Sequence, residues 1–507
     1  MADRRLVWAL IVLAVVARAG AVLALQSHTV PNSTYEHGAI AANLLAGRGF
    51  SVKFLGAEGP TSQQAPLYPL MVAGAYAVGG VGTPLALLIL ELGQSLLGGV
   101  LVAGVLALAS EVAPGRRWVG LVAGLIAAFH PALVYAATHV QVALPAATLL
   151  AWTLALAYRA GRTGRRVDAL WTGGLLALLV LTDPILALAA VGVAGAVRLG
   201  RGGFRPALGT LSMTALVATL ICLPWTWRNY RVHGELVLVK STFGYAFWQG
   251  NCALSEGTDK VVRASVERAL ERRGNGFDLR QVNSALWRAR HEAGYIDDIA
   301  LTADDYWELS AVSEPERSRR LFRRALADLR AEPGRYPRLC LRRLRYFLLF
   351  DETNPKTRNV VYRATHVGLS ALAVLGLIVA PASVRRRLGP TLATVALVTA
   401  FHTLSIVSAR FHIPLEPLMG LWAACGLTGF GPGRIDQLSQ PRRPATSKAS
   451  GSIRGFASRP AASVVPTSWL ARRANREAAS SEAPITLRPL TTPGATHNSS
   501  AALERTV

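Results

Sequence analysis

The chain has 507 residues, 51% of them hydrophobic and only 17% charged, against about 25% charged in an ordinary soluble domain. Its net charge of +24 would suit a nucleic-acid binder. The Lys and Arg residues, however, fall in short clusters between apolar runs, in a mixed-charge middle region and in a basic tail, which argues against one basic binding face and reads as membrane topology signals.

The first apolar run, Leu6 to Leu25 behind Arg4 and Arg5, has the ~20 residues that a spanning helix needs. It carries no small-residue cleavage site and is read as a retained first span, 6–26. With the N-terminus inside and spans alternating, an outside loop 27–83 follows. Span two, 84–111, ends at Arg116 and Arg117; span three is 118–137. Span four, 140–159, ends in the cluster of Arg159, Arg162, Arg165 and Arg166. Spans five and six form a tight pair around Asp183 and Pro184 and return to Arg198, Arg201 and Arg205. Span seven, 208–225, exits into a long loop, 226–364. Span eight, 365–382, ends at Arg385, Arg386 and Arg387, and spans nine, 389–407, and ten, 412–430, form a last outward hairpin. Every short basic loop then lies inside, as the positive-inside rule requires.

The apolar stretch Pro66 to Gly79 is short, and counting it as a span would break that parity, so an interfacial or re-entrant helix is expected. The 226–364 region carries helix-like charged stretches such as Val261 to Arg273 and Arg317 to Arg330 and is expected to be a small, mainly helical extracytoplasmic domain. Residues 431–507 are rich in Pro, Ser, Ala, Thr and Arg and read as a disordered basic cytoplasmic tail. Four cysteines make neither a disulfide framework nor a metal spacing, although Cys252 and Cys340 both lie in the middle region and could form one bridge outside the cell. The expected fold class is an all-α integral membrane protein of about ten spans, with modules 1–225, 226–364 and 365–430 ahead of the tail.

This topology gathers the polar residues that composition does not explain on the outer side: Glu36 and His37, Gln141, Asp183, Arg228, Lys240, Arg410 and His412. Arg18 lies deep in span one, where an ionisable group is costly unless it faces a cavity or a partner; the bland alternative is that it snorkels to the outer headgroups.

The first outer loop reads YEHGAIAANLLAGRGFSVKFLGAEGPTSQQAPLYP from Tyr35 to Pro69. With PWTWRNY at Pro224 to Tyr230, then Gly234, Trp248, Gly250 and Asn251, and RFHIPLEP at Arg410 to Pro417, it resembles bacterial membrane glycosyltransferases of the family that includes protein O-mannosyltransferases and the lipid A aminoarabinose transferase. The resemblance runs over about residues 30–430, excluding most of the middle domain. It implies the GT-C arrangement, in which a large first extracytoplasmic loop sets a catalytic carboxylate over a lipid-facing cleft. Many members place an Asp, often Asp-Glu, early in that loop. Here Asn32-Ser33 stands there and the only early carboxylate is Glu36; Gln141 stands where an acidic residue is often found.

The resemblance implies transfer of a sugar from a polyprenyl-phosphate donor to a lipid, glycan or protein hydroxyl. Such a reaction needs a base for the acceptor and positive charge for the departing phosphate. Glu36 is the expected base, Arg228 and Arg410 the first expected phosphate partners, and Lys240 and Arg18 the second. Asp183 either orients an arginine or caps a helix. His37 and His412 are supporting polar residues, because no spacing of His or carboxylates marks a metal site. No cofactor is expected, since the lipid-linked sugar is a substrate; membrane lipids are partners and nucleic acid is not. The expected location is the plasma membrane, with both termini cytoplasmic and the active site outside. A transporter or flippase would instead show internal repeats and broken midplane helices. A polysaccharide ligase or polymerase would keep the chemistry with another donor, and a non-catalytic scaffold would not need Glu36.

Overall fold

The structure, a computed structural model, describes residues 4–261, 278–292 and 294–429. The chain opens with α1 (Arg4–Leu25). The first loop then folds as α2 (Tyr35–Leu45), an antiparallel hairpin of β1 (Ser51–Phe54) and β2 (Ala57–Pro60), and α3 (Leu67–Gly79). The bundle continues through α4 (Pro84–Val112), α5 (Arg117–Phe129), the short α6 (Pro131–Tyr135), α7 (Ala143–Thr163), α8 (Arg166–Val180), a 3-10 turn Pro184–Leu188, α9 (Ala189–Arg201) and α10 (Phe204–His233). The middle region contributes α11 (Phe243–Asn251), β3 (Lys260–Val261), α12 (Leu279–Glu292), β4 (Gly294–Tyr295), α13 (Ile296–Ala300), α14 (Ala303–Ser310), α15 (Glu314–Ala331) and α16 (Arg335–Leu348). The last bundle helices are α17 (Val360–Val379), α18 (Ala382–Leu404) and α19 (Glu416–Gly429). The two hairpins aside, the described chain is helical, and the protein is an all-α integral membrane protein.

Local sequence explains the helix ends. Thr83 caps α4 by accepting from the Ala86 N–H at 3.1 Å, with Pro84 at the first helical position. Gly164, Gly202 and Gly234 close α7, α9 and α10 in the left-handed conformation. Pro131 stops α5, because the residue before a proline is pushed out of helical backbone and His130 adopts φ −58, ψ 123.

Among the described residues six stretches are long and apolar enough to cross a membrane: Arg4–Thr29, Pro84–Val112, Ala143–Thr163, Pro184–Arg201, Phe204–His233 and Val360–Val379. The other four expected spans are helices too, but α5, α8 and α19 are shorter, with 13, 15 and 14 residues, and α18 carries three arginines. Expected span three is therefore a helix broken at His130-Pro131, and expected span seven is one 30-residue helix running past residue 225 to His233. α3 is a 13-residue helix, short as expected. The helix expected at Val261 to Arg273 and the 431–507 tail lie outside the described residues. Cys252 and Cys340, which the sequence left open to pairing, are free thiols; the Cys340 sulfur accepts from Arg343 Nη2 at 3.4 Å.

Small residues let the helices approach. α7, rich in buried alanines, packs against α4, α8 and α9, and a continuous apolar core joins it to α5, α17, α18 and α19. The basic loops converge at one end of this bundle. Arg162 makes a bidentate pair with Glu111 at 2.6 and 2.9 Å, Arg387 donates to the Glu111 carbonyl at 2.9 Å, and Arg4, Arg116 and Arg117 line one groove of about 540 Å³. The first loop and the middle region share a second core of Ile40, Phe50, Val52, Phe54, Phe247, Trp248, Ile296 and Leu321 at the other end.

Candidate active site

The first loop turns sharply before α2. Asn32 and Tyr35 both take left-handed backbone, at φ 54 and φ 49, which for a tyrosine costs about 1–2 kcal/mol. Such strain persists where surroundings over-determine it. Tyr35 stacks on Trp287 at 6.3 Å, and the Arg290 guanidinium sits 4.9 Å over its ring. This pinned turn delivers the next residue, Glu36, half-buried at the start of α2, with no hydrogen bond or ion pair on its carboxylate among the described residues.

Four cations, Lys240, Lys260, Arg290 and Arg410, make no ion pair among the described residues, and Lys240 lies within reach of the Asp183 and Glu36 charges. Lys240 donates only to Gln64 Oε1 at 3.1 Å, Lys260 lies 5.3 Å from the Tyr295 ring, Arg290 covers Tyr35 and Trp287, and Arg410 touches the Phe411 ring at 5.6 Å. They come from four separate segments, and the charge of Arg410 acts at once on Tyr35, His37, Asp183, Lys240 and Lys260. Burial pulls Lys240 below its ordinary range, opposed by the Asp183 and Glu36 carboxylates. Burial, reinforced by Arg290, pushes Lys260 down to about 8. Elsewhere the arginines are commonly paired, as in Arg319 with Glu235 and Arg324 with Asp305.

The supporting residues divide. Asp183 caps the 3-10 turn by accepting from the Ile185 N–H at 3.2 Å, and burial raises its carboxyl while Lys240 opposes that shift. Of the two roles weighed for it, the cap is the one this geometry fills. His37 packs edge-on against Tyr68 at 5.0 Å and is pushed down to about 3 by burial and by Lys240 and Arg410, so it is a neutral imidazole at ordinary pH. Gln141 belongs to a buried network. Its N–H donates to the Tyr68 hydroxyl at 2.6 Å, its Oε1 meets His139 Nε2 at 2.7 Å, and Tyr68 donates to Gln94 at 2.8 Å. This network seats the loop before α7 beside α3.

Three residues expected at the site do other work. Arg228 donates to the Thr61 carbonyl at 2.6 Å and the Phe50 carbonyl at 2.8 Å and lies 4.9 Å over Trp225, so its guanidinium is consumed in clamping the first loop to α10. Arg18 is fully buried and neither snorkels nor reaches the site. It donates to the Ala14, Ala127 and Ala128 carbonyls at 2.7–3.1 Å, satisfying the C-terminal end of α5, and lies across Gly98, where a Cβ would be 2.2 Å from its Cδ. His412 points into the bundle, 3.0 Å from Glu416.

The motif residues mostly hold the scaffold. Ser62 donates to Asn229 Oδ1, Asn229 donates to the Val237 and Val239 carbonyls, and buried Glu314 accepts from Thr61, the Ser62 N–H and Ser241 at 2.5–2.8 Å. Asn251 and the Gly250 carbonyl receive Arg343. Sequence reasoning missed Lys260 and Arg290, which lie in a stretch already rich in charge. The one available signal is Trp287 and Arg290 at helical spacing, an aromatic and a cation on one face.

No family model matches the sequence, and no curated protein matches it. Among solved structures the chain is similar to the archaeal oligosaccharyltransferase AglB from Archaeoglobus fulgidus, in complex with an inhibitory peptide and a dolichol-phosphate, at 14% identity and TM-score 0.49. That match covers 85% of this chain and 50% of the other, so the chain spans about half the length of the archaeal enzyme. It is also similar to ArnT from Cupriavidus metallidurans in the apo state, at 13% identity and TM-score 0.37, and bound to undecaprenyl phosphate, at 15% identity and TM-score 0.36, each over 82% of this chain and 77% of that one.

Proposed function

We propose that this chain is a membrane glycosyltransferase that moves a sugar from a polyprenyl-phosphate donor to an acceptor hydroxyl on the extracytoplasmic side, with inversion. The observation that carries the reading is a set of four cations, Lys240, Lys260, Arg290 and Arg410, none of them ion-paired among the described residues, whose charges act on one another and on Tyr35, the residue before Glu36. Unpaired cations at a half-buried site are costly unless an anion completes them, and a phosphate diester supplies both the charge and the acceptors.

In the reaction the acceptor oxygen bonds to the anomeric carbon as the bond from that carbon to the phosphate oxygen breaks. The electron pair leaves with the polyprenyl phosphate, held by Lys240, Lys260 and Arg410, and the hydroxyl proton goes to Glu36. Arg290 holds Tyr35 and thereby the start of α2. A groove of about 530 Å³, lined by Tyr35, Gly38, Ala42, Tyr76 and Val81, runs beside the α2 face and offers the lipid chain an apolar wall.

The test is release of polyprenyl phosphate, followed by mass spectrometry, when purified protein in detergent is given lipid extract from a strain lacking the gene. Wild type should consume an accumulated lipid-linked sugar and Glu36→Gln should not, at equal yield and folding. Wild-type-like turnover by Glu36→Gln would remove Glu36 from the chemistry, and no accumulated lipid-linked sugar in the deletion strain would overturn the donor class.

A further inference from the structure

The motif that supplies Arg410 to the cleft turns its next polar residues the other way. His412 and Glu416, one helical turn apart, point into the bundle and meet His366 of α17 and His130 at the α5/α6 break. All four are buried, with exposures of 2%, 0%, 1% and 8%. The Glu416 carboxylate is approached from both oxygens. His412 Nδ1 lies 3.0 Å and His366 Nδ1 3.4 Å from Oε1, and His130 Nδ1 lies 3.1 Å from Oε2.

Hydrogen bonding accounts for only one of these approaches, His412 Nδ1 to Glu416 Oε1. His130 Nδ1, both ring nitrogens of His366 and Glu416 Oε2 are buried with no hydrogen bond of acceptable geometry, although three of these atoms sit at ion-pair distance. The two rings of His366 and His412 are only 4.0 Å apart. The outer ring nitrogens are anchored: His412 Nε2 meets the Tyr362 hydroxyl at 2.8 Å, and His130 Nε2 faces the Thr365 carbonyl at 3.4 Å. In the tautomer that carries its N–H on the outer nitrogen, His412 turns its Nδ1 lone pair to the carboxylate, and the tautomer of His130 with its N–H on Nδ1 faces the other oxygen.

We infer that His366 Nδ1, His412 Nδ1 and a Glu416 oxygen form a binding site for a divalent transition cation of the zinc class, with His130 orienting the carboxylate from its other oxygen. The three donor atoms lie within 4.8 Å of one another. Bonds of about 2.0–2.1 Å in tetrahedral geometry place donor atoms about 3.3 Å apart, so the observed 3.0 and 3.4 Å separations from Oε1 already match two edges. Two imidazoles and one carboxylate favour zinc and its neighbours over magnesium or calcium, which take oxygen sets. Tyr362 and His130 provide the outer hydrogen bonds that fix ligand orientation. Buried as it is, the site cross-links α17 to the start of α19 and, through His130, to α5. It thereby fixes the loop in which Arg410 stands two residues before His412.

The test needs no donor or acceptor. Chelator-treated full-length protein in detergent is titrated with Zn²⁺ or Co²⁺ alone, and bound metal is read by mass spectrometry, by the visible bands of four-coordinate Co²⁺ and by thermal melting. One equivalent per chain with a raised melting temperature is expected in wild type and in Glu36→Gln. His366→Gln and Glu416→Gln should each lose the metal and the thermal shift, and His130→Gln should bind at least tenfold more weakly. Wild type that takes up neither ion would overturn the site in favour of an imidazolium–carboxylate network, a result independent of whether either variant folds. Metal uptake undiminished in both His366→Gln and Glu416→Gln would place the ion elsewhere. Because Glu36→Gln keeps the metal, failure of the transferase reading leaves this outcome untouched.

Discussion

Lys260 gives the sharpest handle on the phosphate-binding reading, because its charge is lost in an accessible pH range. Burial, with Arg290 adding repulsion and Asp259 opposing, lowers the ammonium to about 8 from its ordinary 10.5. It is charged below that value and neutral above it. If a donor phosphate binds only the charged form, affinity is flat below pH ~7 and falls about tenfold per pH unit above ~8; at pH ~9 only about one lysine in ten still carries its proton. The loss by pH ~9 is about tenfold, or ~1.4 kcal/mol. Equilibrium binding of undecaprenyl phosphate to the detergent-solubilised protein between pH ~7 and ~9 measures it, because the second ionisation of that monoester, near pH ~6, is complete before the window opens. Lys260→Arg keeps the charge throughout and should flatten the profile, whereas Lys260→Gln should bind weakly at every pH. A wild-type affinity that does not fall between pH ~7 and ~9, or a Lys260→Arg profile that falls just as steeply, would refute the placement of the phosphate at Lys260.

Other expectations concern the scaffold. Arg18→Ala should destabilise the bundle by about 1.5–3 kcal/mol by orphaning the Ala127 and Ala128 carbonyls, with undecaprenyl phosphate affinity unchanged; a binding loss without a melting shift would return Arg18 to the site. Arg228→Ala should likewise lower the melting temperature more than it weakens binding, since its donors are held by Thr61 and Phe50, and the opposite pattern would mean that the clamp opens to meet phosphate. Gly98→Leu should prevent accumulation of folded protein in membranes, because Arg18 occupies the space; normal folding would show that the Arg18 geometry is wrong. In a cysteine-free background, Glu58→Cys should react with an impermeant maleimide from outside the cell and Gly115→Cys should not, and the reverse would invert the proposed orientation.

Much of the bundle was legible because membrane insertion writes itself into composition. Apolar run length marks the long helices, and the basic clusters set the parity that the structure respects when Arg162 and Arg387 meet Glu111. Glu36 and Arg410 drew notice in the sequence because a polar residue at a span end needs a reason. Arg228 and Arg18 could not be sorted by the same logic, since a guanidinium that satisfies backbone carbonyls and one that awaits a ligand are identical letters. Lys260 and Arg290 were hidden in a region where charge is ordinary, and only their lack of carboxylate partners sets them apart.

By itself the sequence determined that the chain crosses a membrane, roughly where, and which loop ends lie on the same side, because those depend on transfer energies and charge counts summed along the chain. Tertiary structure decided which cations remain unpaired and which four buried groups, from residues 130, 366, 412 and 416, come to share one point. Apart from the i,i+4 spacing of His412 and Glu416, those are questions of distance between segments far apart in sequence, which no local period encodes.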